Sequence, residues 1–402
     1  MYNIKLYDYV PEPKPATSDY LICAHYYAAW KWGAAGLHNG FNDLHDYPER
    51  TPLMGYYDEE NPAVCDWEIK WASEHGINCF IHCWYRKKEN EGKPLTTADL
   101  RCGHGLHEAL FNAKYQKYMK FAIMYEANVR WGGTDAKDLL ANLMPFWMEN
   151  YFKRDNYIKL DGKPILFVYD TGNQIKHAFA SPADQKAAYD ACRSYAIKEG
   201  FPGLIIAIMN TSNDPAVYED TYARGYDFRF AYCSPNTQNE NYPPEDEKVE
   251  ELRRSYTERL AQDPKRFIVT ASCFRDHTPR FTDAWVEKGY HFSKNGLWYL
   301  SPENFRRQLL NCREMIQTLP ADAYGRRIVM IDNWNEWDEG HYVAPSHGYG
   351  FGYLQAIREE LTHRDNLPDY RMPQDVCPGD YNNRWDIPDF TGVSRKDYYV
   401  KS

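Results

Sequence analysis

Eight short apolar runs, each followed by a segment of helical period, predict an α/β chain folded as a closed (β/α)8 TIM barrel. The runs are "YLICAHYY", "INCFIHCWY", "KFAIMYEAN", "PILFVYD", "GLIIAIMN", "DFRFAYCS", "RFIVTASCF" and "RIVMIDNWNEW". They are apolar throughout rather than alternating, as parallel strands covered by helices are. A doubly wound open sheet has fewer strands and a glycine-rich phosphate turn after the first, and no GxGxxG follows "YLICAHYY".

The elements follow in order. Residues 1–18, with "VPEPKPATSD", predict an extended arm, residues 19–364 the barrel, and residues 365–402 an irregular tail packed on it. In that tail Pro373, Pro378 and Gly379 oppose a helix. A length of 402 residues allows the barrel with its insertions to be one large domain. Capping residues followed by proline mark four helix starts: Asn61-Pro62, Ser181-Pro182, Asp214-Pro215 and Ser301-Pro302. In "NPAVCDWEIKWASEHG" Val64, Trp67 and Trp71 recur at three- and four-residue spacing, so one face is apolar. Similar periods predict helices in "GLHEALFNAKYQKYM", "DLLANLMPFWMENYF", "SPADQKAAYDACRSYAIKEG", "EKVEELRRSYTERLAQ", "SPENFRRQLLNCREMIQ" and "YGFGYLQAIREELTHR". The long aromatic loop from Ala28 to Asp58 and the stretch "NTQNENYPP" are expected to build the mouth of the site.

Composition narrows the function. A net charge of −10 with no Lys/Arg run argues against nucleic acid and anionic membrane as partners. No apolar stretch is long enough to span a bilayer, and "MYNIKLYDYVPEPKP" lacks the core of a secretory signal. As it stands the chain reads as cytoplasmic; it would be secreted or periplasmic if an export signal has been removed. Compartment and oligomeric state stay open. Ten scattered cysteines without a CxxC pair read as buried free thiols. The 34 tyrosines and 12 tryptophans suit core packing and stacking on sugar faces alike.

Barrel enzymes place their chemistry at the C-terminal ends of the strands. Those ends supply His25, Tyr26 and Tyr27; His82, Trp84 and Tyr85; Tyr125, Glu126 and Asn128; Tyr169 and Asp170; Asn210; Tyr232; and Asn335, Glu336, Trp337 and Glu339. Tyr57, in "LMGYYD", joins them from the first long loop. Aromatics with carboxylates and amides suit a saccharide: flat faces, hydroxyl partners, and two carboxyls to cleave an acetal. Each residue also has a plain structural role available to it. Alternate aromatics in each strand are expected to be core plugs, and His25 and His82 to hold a ligand or orient a carboxylate rather than catalyse. Glu126 closes an apolar strand and so needs a partner or a substrate hydroxyl. Histidines and cysteines near these ends, His104, His107, Cys23 and Cys83 included, match no common metal-ligand spacing, so neither metal nor organic cofactor is expected.

"WNEWDEG", with "GYGFGYLQAI" opening the last helix, resembles the glycosyltransferase WbsX-like family, which is related to glycoside hydrolase family 99, the endo-α-1,2-mannosidases and mannanases. Looser likeness in "LMGYYD", "DWEIKWASEHGINCFIHCWY" and "GKPILFVYD" extends it over most of residues 20–360. The resemblance implies a barrel acting on a glycan without cofactor. It implies Glu336 as the base that takes a proton from the sugar 2-hydroxyl and Glu339 as general acid, through a 1,2-anhydro sugar with configuration retained. It also maps Glu126 onto a substrate-contacting glutamate. The acid's pKa is then expected to be raised by tryptophan walls and by its neighbour. "HYVAPSHGYG" departs from the family 99 sequence, and no DxD or phosphate loop is present for a nucleotide sugar. The alternatives are a polysaccharide glycosyltransferase and a non-catalytic glycan-binding barrel. On a regular strand residues i and i+3 face opposite sides, so the chain must leave the strand near Trp337 if both acids are to meet one substrate.

Overall fold

The computed structural model describes residues 10–30, 41, 44, 47–128, 133–170, 175–232, 244–276, 279 and 300–376. Most of the Ala28–Asp58 loop before residue 47, "NTQNENYPP" up to residue 243, and residues 377–402 lie outside them.

Nine parallel pieces form the sheet: β1 (Leu21–Tyr26), β2 (Cys79–Arg86), β3 (Lys120–Glu126), β4 (Lys163–Tyr169), β5 (Ile205–Met209), β6 (Phe228–Phe230), β7 (Phe267–Ile268), β8 (Thr270–Ser272) and β9 (Ile328–Asp332). Each pairs with the next from β1 to β7, while β8 pairs with β9 and β9 with β1. Val269 alone separates β7 from β8, and its carbonyl accepts the N–H of Met330. The nine pieces therefore fill eight positions, and the sheet closes on itself as a (β/α)8 barrel.

Helices α1 (Pro62–Glu74), α2 (Pro182–Lys198), α3 (Pro215–Ala223), α4 (Glu245–Gln262), α5 (Pro302–Thr318) and α6 (Gly352–Leu361) surround it. The four expected caps form: the side chains of Asn61, Ser181, Asp214 and Ser301 each accept a backbone N–H of the first turn, with proline following. Two expected helices differ. "GLHEALFNAKYQKYM" breaks into short turns, Gly105–Ala109, Leu110–Asn112 and Gln116–Tyr118. The cause is Asp66 on α1, whose carboxylate takes the N–H groups of Lys114 and Tyr115 and draws the chain out of the helix. "DLLANLMPFWMENYF" is helical through residues 136–152 but widens over Leu139–Leu143 and Met148–Phe152. Pro145 lacks an N–H and crowds the preceding turn, which the wider turn relieves.

Side chains alternate across the strands. His25 packs against Phe230 and Tyr232 inside the barrel, and Phe230 against Phe167. The opposite face meets the helices: Tyr26 donates to Glu68 of α1, and Trp84 packs on Phe146 and Trp147. Segments from early and late in the described residues meet at Glu74, which closes α1. Its carboxylate accepts the N–H of Lys14 and of Asp369 and pairs with buried Lys70. The eight described cysteines are free thiols, all buried except Cys102. Among the described residues no helix is long and apolar enough to cross a membrane.

Candidate functional site

The stretch "DNWNEWDEGHY" leaves the barrel as soon as β9 ends at Asp332. Asn335–Glu336 then pairs antiparallel with His341–Tyr342, opposing Glu336 to His341. The connection is the tight turn Trp337–Glu339, closed by Gly340 at φ +59°. Glycine is required there on two counts. An L side chain resists that φ, and a Cβ would lie 2.8 Å from Arg50 Nη1 and 3.0 Å from the Asp276 carbonyl. Those atoms lock the turn, since Arg50 pairs with the Asp276 carboxylate and the Asp276 N–H donates to the Glu339 carbonyl at 2.7 Å.

This hairpin brings Glu336 and Glu339, each 7 % exposed, to the same place: one oxygen of each and a ring nitrogen of His341 lie within 4.8 Å of one another. Glu336 Oε2 accepts hydrogen bonds from Tyr232 Oη at 2.7 Å and Asn333 Nδ2 at 3.0 Å. His341 Nδ1 faces the same oxygen at 3.5 Å, while its Nε2 lies 3.2 Å from Asp332 Oδ1. Both contacts lie within ion-pair distance of the ring. Burial opposes charge on this ring, but Asp332 and Glu336 outweigh it and raise the His341 pKa to about 9. Arg275, after β8, approaches Glu339 Oε2 at 3.7 Å.

Several expected residues line the same space. Tyr169 and Tyr232 meet edge to face at 5.1 Å, and Tyr169 senses Glu126, Glu336 and Glu339. Burial pushes the Glu126 carboxyl up to about 8, against the pull of the Asn128 N–H and with help from Asp170. Cys83 lies among Glu336, Glu126 and Tyr85. His25 forms the floor, edge-on to Tyr232 at 5.0 Å, and burial lowers its pKa to about 4 despite Asp332, leaving it neutral.

Others stand elsewhere. His82, Trp84 and Tyr125 point into the helical layer by strand alternation: His82 lies beside Tyr26, Trp84 donates to Tyr151, and Tyr125 packs on Trp147. Tyr26 binds Glu68 on α1. Asn210 turns outward to Thr221 and the Ser212 N–H, shaping its own loop. Asn335 holds the Tyr27 N–H, and its carbonyl holds Trp30, so these residues brace the loop. The tryptophans of the motif are not walls of the site. Trp334 is packed on Phe80 and bonded to Glu68, and Trp337 is packed on Tyr342 and bonded to Tyr57.

Asp332, Asn333, His341 and Arg275 escaped the sequence reading. The first two are the polar residues that end the β9 run, and Arg275 follows "RFIVTASCF", a strand end passed over above. His341 carried no signal, because only the hairpin register opposes it to Glu336. Glu336, Glu339 and His341 are also the donor types that hold a divalent cation. The His341 ring lies between the Asp332 and Glu336 carboxylates, whose charges favour its protonated form, and in that form it offers no lone pair to a metal.

The family described as Glycosyltransferase WbsX matches residues 37–357. The chain belongs to this family. Two curated relatives, both named "Uncharacterized protein WxcX" and from two strains of Xanthomonas campestris pv. campestris, are 22 % identical to this WbsX-family chain over 349 residues. The match takes in 80 % of the chain but only 45 % of the relatives, so it spans less than half of their length. Among solved structures, the GH99 endo-alpha-mannosidase from Bacteroides thetaiotaomicron superposes with a TM-score of 0.55 at 14 % identity. It covers 85 % of this WbsX-family chain and 95 % of its own when bound to bis-tris-propane. A second structure of that enzyme gives 0.55 at 15 % identity, over 85 % and 97 %. These solved structures share the barrel fold.

Proposed function

We propose that this protein is a glycoside hydrolase that cleaves a glycosidic bond in a poly- or oligosaccharide, with Glu336 as base and Glu339 as general acid. The observation that carries this is the carboxyl pair at the barrel mouth, one oxygen of each within 4.8 Å. Such closeness lets the two carboxyls reach neighbouring atoms of one sugar, the 2-hydroxyl and the leaving oxygen. Glu336 Oε2 is an acceptor in the structure, as a base must be.

In the proposed sequence Glu336 takes the proton of the sugar 2-hydroxyl, and O2 attacks the anomeric carbon. The bond to the leaving oxygen breaks as Glu339 gives that oxygen its proton. Water then gives a proton to Glu339 and attacks the same carbon; its bond to O2 breaks, and O2 recovers its proton from Glu336. Two inversions leave the configuration retained. Tyr169, Tyr232 and Glu126 lie around the carboxyl pair and are proposed to contact the sugar, with Tyr57 and Trp337 bracing the turn behind them. The solved neighbours are endo-alpha-mannosidases, which supports an α-linked glycan.

The test is product release from a panel of polysaccharides, α-mannans included, beside Glu339→Ala. Product from one glycan that is absent with the variant supports hydrolysis. The family's own description favours a second reading, a glycosyltransferase. That reading predicts binding of a nucleotide sugar; calorimetry against a donor panel that detects none removes it.

A further inference from the structure

His341 belongs to no part of the proposed proton sequence, yet it is fully buried against one of its members. Its ring is bracketed by two carboxylates, that of Asp332, the fully buried last residue of β9, at 3.2 Å and that of Glu336 on the facing strand of the hairpin at 3.5 Å. From the strands below, neutral His25 of β1 shares the Asp332 field, and Tyr232 after β6 presents its ring at 5.3 Å. Among the described residues Glu339 and Asn333 stand beside Glu336, Arg275 lies beyond Glu339, and Tyr256 and Cys312 share the field of Asp332. A buried cation placed between two anions has one low-energy position, so the row Asp332, His341, Glu336 is a built relay.

Resting on the reading of Glu336 as base, we propose that His341 is a positioning residue for that carboxyl, itself held by Asp332. The charge on the ring offsets the charge of Glu336 while the base is waiting. Its loss when Glu336 takes the proton is balanced by Asp332, which keeps the ring in place for the return step.

Two measurements on the full chain test this. The first needs no substrate: an NMR titration of histidine-labelled protein, with the His341 signal assigned by His341→Gln. The ring is expected to stay protonated up to about pH 9 and to titrate more than one unit lower in Asp332→Asn. A His341 signal that titrates near the ordinary histidine value overturns the proposal. The second is the pH profile of kcat/KM on the glycan found by release. His341→Gln is expected to cost roughly 10- to 100-fold, as loss of an orienting partner does, and to move the acid limb up by about one unit. Asp332→Asn, which keeps the ring and its volume, is expected to move the alkaline limb toward neutrality. Loss of activity with both limbs unmoved means a merely structural role and overturns the proposal. If no glycan is cleaved the hydrolase reading fails, and the titration still decides whether the relay exists.

Discussion

The hydroxyl of Tyr232 donates to Oε2 of Glu336 at 2.7 Å and itself receives Asn333 Nδ2 at 2.7 Å. The end of β6 is thereby tied to the hairpin after β9, and one carboxylate oxygen is held from two sides. Tyr232→Phe removes the bond with little change in volume. A hydrogen bond to a charged group contributes about 1.5–3 kcal/mol, so kcat is expected to fall roughly 10- to 100-fold with KM little changed. Steady-state kinetics on the identified glycan checks this.

Gly340 carries the geometry of the turn. Gly340→Ala meets both the positive φ and the Arg50 and Asp276 atoms, and is expected to cost about 1–3 kcal/mol of stability. Activity is expected to fall further than stability, because Glu339 is the residue displaced. Chemical denaturation with an activity assay separates the two effects.

Glu126 makes stability depend on pH. Its carboxyl is raised to about 8 by burial, above its ordinary value of 4.5, so the folded state binds a proton that the unfolded chain releases. That contribution is full below about pH 4.5 and is lost as pH rises through about 8. Glu126→Gln keeps an acceptor for Asn128 and removes the titration. It is expected to raise the melting temperature at pH 8.5 by more than at pH 5, by an amount equivalent to about 2–4 kcal/mol. Melts of both proteins at the two pH values decide it.

Trp337 tests whether the motif tryptophans touch substrate. With its ring buried on Tyr342 and its N–H bonded to Tyr57, Trp337→Phe is expected to cost about 1–3 kcal/mol of stability and leave KM unchanged. A several-fold rise in KM without destabilisation contradicts the packing role.

The barrel was legible because its strands are continuous apolar runs and four of its helices open on capping residue and proline, signals that act locally. Glu336 and Glu339 were legible as a pair, and the need for the chain to leave the strand near Trp337 followed from strand geometry; the turn Trp337–Glu339 meets it. What each strand-end aromatic faces was not legible, because the pleat sets it. One residue of offset sends Tyr169 inside and Tyr125 or Trp84 to the helices. His341 and Arg275 were hidden for a different reason, since their importance arises from contacts made across the hairpin and between separate strand ends.

The central claim is that Glu336 and Glu339 act together on a glycosidic bond. Its most direct measurement is proton NMR of the first product formed from the cleaved glycan, by the native protein and by Glu336→Gln. The account predicts a product of retained anomeric configuration from the native protein and turnover reduced at least about 100-fold in the variant, with substrate still bound. An inverted product, or a variant as active as the native protein, contradicts it.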